Sequence, residues 1–324
     1  MKVLVTGASG LLGGSVAARI LSDGHEVVCF QRSPSGVDGA LDVLGSVTDP
    51  EAVRRAVAGA DAVVHLAAKV SLAGDPRDFE AINIDGTRML LAEARAAGAT
   101  RFVQVSSPSV AHSGSSLVGE DAAPADPARA HGDYARTKAE AEILALEADD
   151  DGFAVVAIRP HLVWGPGDTQ LVARIVDRAR RGRLPLLGSG AALIDTTYID
   201  NAAGAIAAAL RRAEDIHGNA YVVTNGEPRP VAELLAGICV AGGAEPPAWS
   251  VPAALARAAG SVVERIWAVR PGVDEPPMTR FLAEQLSTAH WFDQRRTRRD
   301  LGWTPEVSLD EGFDLLAQSY RPQS

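Results

Sequence analysis

The stretch "KVLVTGASGLLGG", residues 2–14, decides the fold, because a short apolar strand runs directly into a glycine-rich turn and then a helix. Its glycines have the spacing G-x-x-G-x-x-G. Glycine permits a tight turn there and lets backbone N–H groups at a helix N-terminus approach a pyrophosphate with no Cβ in the way. The stretch therefore predicts a dinucleotide-binding turn, and a ligand-free glycine turn is the alternative. The residues expected to bind are Gly7, Ser9, Gly10, Leu11, Leu12 and Gly13.

The rest of the first 160 residues repeats the same unit, an apolar run followed by a segment with helical periodicity. The runs include "EVVCF", "DAVVHLA", "RFVQVSS" and "AVVAIRP", and they lack alternating polar residues. Such runs are typical of strands that are covered on both faces, as in a parallel sheet built from βαβ units. We therefore predict an α/β protein with a Rossmann-type doubly wound parallel sheet.

The alternation of apolar runs and helical segments ends after Pro160. Glycine and proline cluster in "WGPGD" and "LLGSGAAL", and every tryptophan of the chain lies beyond this point. We expect residues 1–160 to form a nucleotide-binding domain that also carries the catalytic residues. Residues 161–324 would form a smaller substrate-binding lobe, partly interleaved with the core sheet.

The composition is that of a folded soluble protein, with 47% hydrophobic and 22% charged residues. A net charge of -10 argues against a nucleic-acid partner. The chain shows no signal peptide and no run of about 18 apolar residues that would span a membrane. The two cysteines, Cys29 and Cys239, are expected to be reduced core thiols in a cytoplasmic protein. No His or Cys pair has ligand spacing, so we expect no metal.

The residues about twenty positions after the glycine turn indicate which dinucleotide is preferred. A site that prefers NAD places an Asp or Glu at the end of the second strand, where it binds the ribose 2′-hydroxyl. This sequence has Gln31, Arg32 and Ser33 there. Because Arg32 and Ser33 suit a 2′-phosphate, the sequence favours NADP(H) over NAD(H). The alternative is that Arg32 is a solvated loop residue and that NAD(H) binds.

A second stretch, "HGDYARTKAEAE" at 131–142, places Tyr134 four positions before Lys138. In a helix these positions share a face about one turn apart, so the ammonium can act electrostatically on the phenol. The spacing Y-x-x-x-K also arises by chance, and an ordinary solvated helix face is the alternative.

Several motifs, in this order, resemble those of the extended short-chain dehydrogenase/reductase family: T-G-x-x-G-x-x-G, "HLAA" at 65–68, "INIDGT", "VSSPSV" and Y-x-x-x-K. The resemblance implies that Ser107, with Ser106 as the fallback, is the catalytic hydroxyl. It implies that Tyr134 is the acid/base, that Lys138 modulates it, and that Asn83 holds a proton-relay water. Together with Tyr134 and Lys138, the residues implied along the cofactor are Leu66, Ala67, Ala68, Lys69, Ser106, Pro160, Leu162 and Val163.

These residues suit the reduction of a ketone, which needs a hydride on carbon and a proton on the developing alkoxide. A free tyrosine has a pKa of about 10, too high for an efficient base near neutrality. The Lys138 ammonium and the positive nicotinamide of an oxidised cofactor both favour tyrosinate. Ser107 would steady the substrate oxygen, or alternatively would only cap its own loop.

Within the family the resemblance is to the 3β-hydroxysteroid dehydrogenase-like branch, through "AAK" at 67–69, "SSPSVA" at 106–111, "RPHLVWGPGDTQLV" at 159–172, "TTYIDNAA" at 196–203 and "QLSTAHWFD" at 285–293. Inside that branch the sequence looks most like the bacterial 2-alkyl-3-oxoalkanoate reductases of olefin biosynthesis. This implies NADPH-dependent reduction of a long, α-branched β-keto acid to the 3-hydroxy acid. One departure is Ser46, which stands where the family commonly has an Asp that touches the adenine.

The substrate candidates are Lys69, Pro108, His161, Trp164 and Tyr198. A lone histidine at a strand end is more often a structural hydrogen-bonding residue, so His161 has two interpretations. Tyr198 equally suits the start of the following helix. Sugar-nucleotide epimerases of similar fold usually carry R-Y-F-N where residues 159–162 read RPHL, and the missing Asn weakens an epimerase function.

Residues 251–269, "VPAALARAAGSVVERIWAV", predict an amphipathic helix. Its apolar face is formed by Leu255, Ala259, Val262, Val263 and Ile266. Core packing of this face is the favoured interpretation. The alternative is an apolar lid over the substrate, seated against a membrane surface.

Three other functions stay open at this point: an NAD-dependent 3β-hydroxysteroid dehydrogenase, a nucleotide-sugar epimerase, and a protein that senses NADP without chemistry. The joint presence of Ser107, Tyr134 and Lys138 argues against the sensor, because a binding module does not need all three. The expected partner is a small hydrophobic substrate, and the family resemblance is consistent with a homodimer.

Overall fold

A seven-stranded parallel sheet forms the centre of the molecule. The structure, a computed structural model, describes residues 1–71, 74–112, 114–269, 283–284 and 286–321, and of residues 264–269 only the backbone. The strands of this sheet are β1 (Lys2–Thr6), β2 (Glu26–Gln31), β3 (Leu41–Leu44), β4 (Ala62–His65), β5 (Arg101–Val105), β7 (Ala154–Pro160) and β12 (Asn219–Val223). Their order is β12-β7-β5-β4-β1-β2-β3, and all neighbours are parallel. The predicted Rossmann-type fold is confirmed.

Helices connect these strands and continue into the second half of the chain. They are α1 (Leu11–Ser22), α2 (Pro50–Val57), α3 (Pro76–Phe79), α4 (Gly86–Ala96), α5 (Gly132–Glu147), α6 (Val172–Arg180), α7 (Ile199–Ile216), α8 (Val231–Ala241), α9 (Ala253–Val269), α10 (Arg295–Leu301) and α11 (Leu309–Ser319). A π-helical turn, Glu80–Asp85, leads into α4, and a 3₁₀ turn, Pro108–Ala111, follows β5. None of the described helices is both long and apolar enough to cross a bilayer.

Two apolar layers cover the sheet, which explains why its strands lack polar alternation. Val3 and Val5 of β1 pack in one layer with residues of α1 and α7. Leu4, which points to the opposite face, packs in the other layer with residues of α2 and α4. Both α7 and β12 come from the second half of the chain and still pack on, or join, the central sheet.

The remaining strands form three small sheets beside the main one. They are β6 (Leu117–Glu120), β8 (Val163–Trp164), β9 (Leu186–Leu187), β10 (Leu193–Ile194), β11 (Thr197–Tyr198), β13 (Arg229–Pro230), β14 (Ser250–Val251) and β15 (His290–Phe292). A third apolar cluster holds this part together, with Trp164 stacked on Phe313 at 4.9 Å between ring centroids. The Trp164 Nε1–H donates to the Thr196 hydroxyl at 2.9 Å.

Helix α9 forms as predicted, but the predicted core-facing side is wrong. Leu255 is 62% exposed and Val262 is 54% exposed, and among residues 253–263 the buried ones are Ala256 and Gly260. Small residues on the inner side let the helix lie close to Leu187, with which Ala256 clusters. The side chain of the fifth predicted face residue, Ile266, lies outside the described residues.

A buried ion pair ties α5 to β7 beneath the carboxyl edge of the sheet. The Arg159 guanidinium donates to both oxygens of Glu142, at 2.9 and 2.5 Å, and to the carbonyl oxygen of Ala123 at 2.7 Å. Both charged side chains are 1% exposed. Removing one partner of such a pair leaves the other charge buried and uncompensated.

We predict that Arg159→Leu lowers the free energy of unfolding by about 3–5 kcal/mol, because the Glu142 carboxylate loses its counter-charge inside the fold. Denaturant titration measures this loss. The matched control is Arg54→Leu, whose partner Glu51 and whose own side chain are 74% and 50% exposed. That variant should lose less than about 1 kcal/mol, and equal losses in the two variants would contradict the prediction.

Candidate active site

The glycine turn between β1 and α1 is built for close backbone approach. Gly7 has a φ of +76°, which favours glycine, and its N–H donates to the Phe30 carbonyl oxygen at 3.0 Å. A Cβ on Gly7 would lie 2.9 Å from the Ala67 nitrogen, and one on Gly13 would lie 2.2 Å from the Gly7 oxygen. Gly10 caps α1 without a side-chain hydrogen bond. The first turn of α1 therefore presents backbone N–H groups as an anion-binding end.

One cavity of about 1880 Å³ runs from this turn to the end of β7 and into the second half of the chain. A single-ligand pocket is typically about 300–1,000 Å³, so this cavity has room for a dinucleotide and a second molecule. The predicted site residues that line it are Gly7, Ser9, Gly10, Leu11, Leu12, Gly13, Arg32, Leu66, Ala67, Ala68, Lys69, Ser106, Ser107, Pro108, Tyr134, Lys138, Pro160, His161, Leu162 and Val163. Four others do not line it: Ser33, Asn83, Trp164 and Tyr198.

Tyr134 lies in the first turn of α5, facing the 3₁₀ turn that begins after Ser107. Burial raises the pKa of Tyr134 above its ordinary value, and a hydrogen bond with the Ser107 hydroxyl acts in the opposite direction. Ser107 and Tyr134, which are 27 positions apart in the sequence, are therefore neighbours in the fold.

Lys138 lies one turn further along α5 and is buried. Its Nζ donates to the carbonyl oxygen of Val105, the last residue of β5, at 2.6 Å. Burial lowers the pKa of Lys138 to about 8, and the Glu142 carboxylate acts against this shift. The ammonium thus has a fixed place between the end of β5 and the start of α5.

Asn83 lies on the π-helical turn, a feature often found at functional sites. Its Oδ1 accepts from the Lys69 N–H at 2.7 Å, and its Nδ2 donates to the Lys69 carbonyl oxygen at 3.2 Å and to the Thr137 hydroxyl at 3.0 Å. Both amide hydrogens are therefore used within the protein. Asn83 thus connects the loop after β4 to helix α5, and it lies behind the wall of the cavity.

A buried chain of hydroxyls and one imidazole supports that loop, and the sequence analysis missed it. The Thr6 hydroxyl accepts from the N–H groups of Leu66 and Ala67, at 3.1 and 3.0 Å, and lies 2.7 Å from the His65 Nδ1. The other ring nitrogen lies 3.1 Å from the hydroxyl of Thr87, which donates to the Asn83 carbonyl oxygen. Burial lowers the pKa of His65 to about 3, so the ring is neutral.

The end of the cavity beyond the glycine turn is formed by the loop after β2. Arg32 is exposed and lines it. Asp42 on β3 fixes this loop by accepting from the Gln31 Nε2 at 2.8 Å and from the Ser35 N–H at 3.0 Å. Asp38 and Ser46 also line the cavity, and the sequence analysis overlooked Asp38 because it lies outside any strand-end motif.

The opposite end of the cavity carries three imidazoles, of His112, His161 and His290. The His161 Nδ1 lies 2.6 Å from the Asp195 carbonyl oxygen, which can only accept, so this nitrogen carries the proton. Burial lowers the pKa of His161 to about 4. The ring is therefore neutral and its Nε2 is an acceptor. His112 and His290 were not predicted, because each stands alone in the sequence.

Trp164 and Tyr198 lie behind this wall. They are 1% and 2% exposed, respectively, and contact each other edge-on at 5.5 Å between ring centroids. Helix α7 begins at Ile199 immediately after Tyr198, so Tyr198 starts the helix and packs in the core instead of reaching the cavity. Within the described residues, no group of three His, Cys, Asp or Glu side chains is placed to hold a metal ion.

Comparison with known proteins agrees with this geometry. The sequence profile described as "NAD dependent epimerase/dehydratase family" matches residues 3–224. The chain belongs to this family. These proteins are extended short-chain dehydrogenases/reductases, which makes the chain an NAD(P)-dependent oxidoreductase.

Individual family members cover the chain almost completely. A 2-alkyl-3-oxoalkanoate reductase from Stenotrophomonas maltophilia is 43% identical over 98% of this chain and 99% of its own length. A 3-beta-hydroxysteroid dehydrogenase from Mycolicibacterium neoaurum is 32% identical over 96% of this chain and 89% of its own. The solved UDP-glucuronic acid 4-epimerase from Bacillus cereus, in complex with NAD, shares the fold, with a TM-score of 0.73 at 21% identity over 99% of this chain and 100% of its own.

We predict that the free energy of unfolding falls as the pH is lowered from about 6.5 to about 4. Above the ordinary pKa both states hold His161 neutral, whereas at lower pH the unfolded state takes up a proton that the folded state refuses until about pH 4. Urea titrations at a series of pH values should show that the free energy of unfolding of His161→Gln falls less steeply with decreasing pH than that of the wild type.

The control for this measurement is His217, whose pKa shift is opposite in direction to that of His161. A hydrogen bond to Asp149 raises the pKa of His217, so this group adds stability below its ordinary pKa and loses it as the pH rises. His217→Gln should therefore steepen the loss on acidification. Parallel curves for the wild type and both variants would show that these shifts do not govern acid stability.

Proposed function

We propose that this protein uses NADPH to reduce the ketone of a hydrophobic 2-alkyl-3-oxoalkanoate to the secondary alcohol of the 3-hydroxy acid. The observation that carries the proposal is that Tyr134, Ser107 and the buried Lys138, one helical turn from Tyr134, line the same cavity as the glycine turn. The identity of 43% to a 2-alkyl-3-oxoalkanoate reductase supports the substrate class.

The residues present fit a dinucleotide. Gly7 packs against the Ala67 backbone and Gly13 against the Gly7 carbonyl, at distances that a Cβ would not allow, and the tight turn brings the N-terminus of α1 to the cavity, where it suits a pyrophosphate. The leucines and alanines at residues 11, 12 and 66–68 would hold the cofactor with Pro160, Leu162 and Val163. When bound, the reduced nicotinamide supplies the hydride.

The protein's own groups handle the proton. The Tyr134 hydroxyl would donate its proton to the substrate oxygen as negative charge develops there. The Ser107 O–H would hold that oxygen by a second hydrogen bond, in the manner of an oxyanion hole. The Lys138 ammonium, placed by the Val105 carbonyl, would stabilise the resulting tyrosinate electrostatically.

Apolar side chains favour a hydrophobic substrate at the far end of the cavity. Leu117, Leu286 and Phe292 line this end beside His161. We propose that His161 and Pro108 contact substrate there, and that residues 161–324 supply most of the substrate contacts. The exposed apolar side of α9, with Leu255 and Val262, would serve as a lid or as a peripheral membrane contact. On the family resemblance alone, we also propose that the protein is a homodimer in the cytoplasm.

The alternative is an NAD-dependent 3β-hydroxysteroid dehydrogenase, which the relative at 32% identity supports. It needs the same Ser107, Tyr134 and Lys138, so the catalytic geometry does not separate it from the ketoreductase. An epimerase is less favoured, since residues 159–162 lack the Asn of the epimerase motif. Substrate and cofactor preference are therefore the properties to measure.

The first test follows NADPH consumption with 2-alkyl-3-oxoalkanoates of increasing chain length, with 3-ketosteroids and with nucleotide sugars. We expect turnover of the β-keto acids alone. Tyr134→Phe should lose at least a thousandfold of that rate, because the proton donor is gone while the ring that packs against the cofactor remains. Cofactor affinity, measured by fluorescence of bound NADPH, should change less than about twofold.

Two outcomes would contradict this proposal. Steroid oxidation with NAD in place of β-keto acid reduction would favour the dehydrogenase. Undiminished turnover in Tyr134→Phe would remove Tyr134 from the role of acid.

The second test concerns the cofactor. Arg32→Ala should weaken NADPH binding about tenfold or more, since a charge-assisted hydrogen bond to the 2′-phosphate is lost. NADH binding should stay within about twofold. Asp38→Asn is the matched variant at the same end of the cavity, and it should tighten NADPH binding by removing a like charge. Equal effects of Arg32→Ala on both cofactors would defeat the proposed preference for NADP(H).

A further inference from the structure

Ser109 stands next to Ser107, and although it belongs to the stretch SSPSVA at 106–111, the sequence analysis gave it no role. It belongs to the 3₁₀ turn after Ser107, is 8% exposed and lines the cavity. Its backbone N–H donates to the Ser107 Oγ at 3.3 Å, and its side-chain hydroxyl donates to the same oxygen at 3.0 Å. Two donors of one residue therefore converge on a single oxygen atom.

This convergence fixes the direction in which Ser107 can act. A serine hydroxyl has one proton to donate and two lone pairs that accept. Ser109 occupies both lone pairs of Ser107, so the proton of Ser107 is what remains for a further partner. The Tyr134 phenol is the neighbouring group, and the influence of the Ser107 hydroxyl lowers its pKa.

We propose that Ser109 is a positioning residue that makes Ser107 an obligate hydrogen-bond donor, toward Tyr134 before substrate binds and toward the substrate oxygen afterwards. The inference rests on the proposed ketone reduction, in which both a carbonyl oxygen and a tyrosinate require donors. Hydrogen bonds in such a chain polarise one another, so donation from the Ser109 hydroxyl strengthens donation by Ser107. Without it, Ser107 regains a free lone pair and can turn to accept from the protonated tyrosine instead.

Ketone reduction requires Ser107 to act as a hydrogen-bond donor, which is the direction that Ser109 imposes. In ketone reduction the substrate oxygen begins as an acceptor and gains negative charge, so only donors stabilise it in the transition state. A serine that is free to accept would spend part of its time in the unproductive orientation. Ser109 removes that orientation, which is a contribution to kcat more than to substrate binding.

The test compares Ser109→Ala with the wild type and with Ser109→Thr, which keeps a hydroxyl. We expect Ser109→Ala to lower kcat for reduction about tenfold with KM within about twofold, because the lost interaction acts mainly in the transition state. The alkaline limb of the pH profile, where Tyr134 loses its proton, should move to higher pH. Ser109→Thr should restore both values.

A spectroscopic measurement keeps the inference separate from the choice of substrate. Tyrosinate absorbance of the NADP⁺-bound protein, minus that of Tyr134→Phe, reports the pKa of Tyr134 with no ketone present. This pKa should be higher in Ser109→Ala than in the wild type. A wild type that reduces none of the tested ketones would defeat the proposed function and leave this measurement intact.

The control is Ser22→Ala, which removes a hydroxyl that donates to the Arg19 carbonyl oxygen at the end of α1. It should change neither kcat nor the Tyr134 titration. NADPH fluorescence and thermal unfolding establish that Ser109→Ala is folded and binds cofactor. An unchanged Tyr134 pKa in folded Ser109→Ala, or a loss that Ser109→Thr does not restore, would overturn the inference.

Discussion

The hydroxyl of Thr6 is the contact on which the site's geometry depends. Strands β1 and β4 are hydrogen-bonded neighbours up to Thr6 and His65, and beyond these residues the two chains must separate to make room for a ligand. The Thr6 oxygen receives the first two N–H groups of the departing chain, those of Leu66 and Ala67. One side chain thus replaces the pairing that ends with the two strands, and these two backbone N–H groups keep a hydrogen-bond partner.

The same contact sets the glycine turn, because the two loops touch. A Cβ on Gly7 would meet the Ala67 nitrogen, so the position of residue 67 decides that residue 7 must be glycine. His65 and Thr87 then extend the network to Asn83, whose amide holds Lys69 on one side and Thr137 of α5 on the other. The loop beside the glycine turn and helix α5 are parts of one hydrogen-bonded framework.

The fold, and the placement of Tyr134 and Lys138 on one helix, could be predicted from the sequence because their signals are local. The glycine spacing lies within seven residues, and Tyr134 and Lys138 are one helical turn apart. The contacts that the sequence did not reveal join distant positions. Thr6 contacts residue 67, and Trp164 and Tyr198 turn inward because an aromatic core forms around Phe313.

Ser107 and α9 are two further places where the sequence alone did not predict the packing of a residue or a helix face. The sequence offered loop capping and catalysis as alternatives for Ser107, whereas in the structure its hydroxyl accepts from the Ser109 N–H and the residue also lines the cavity with Tyr134. For α9 the periodicity correctly predicted a helix, but two sides of it are apolar. The inner side is the one with small residues at 256 and 260, because these allow a close approach.

Burial disfavours the charged forms of Tyr134 and Lys138 on α5, but it strengthens the interaction between those charged forms. It raises the pKa of Tyr134 and lowers that of Lys138, so each charged form alone is disfavoured. The same low dielectric strengthens the attraction between an ammonium and a phenolate once both are present. The Glu142 carboxylate supports the ammonium, and because Arg159 neutralises Glu142, the net charge beneath Lys138 stays small. Lys138 therefore remains cationic near neutrality, and its charge can act on the phenol of Tyr134.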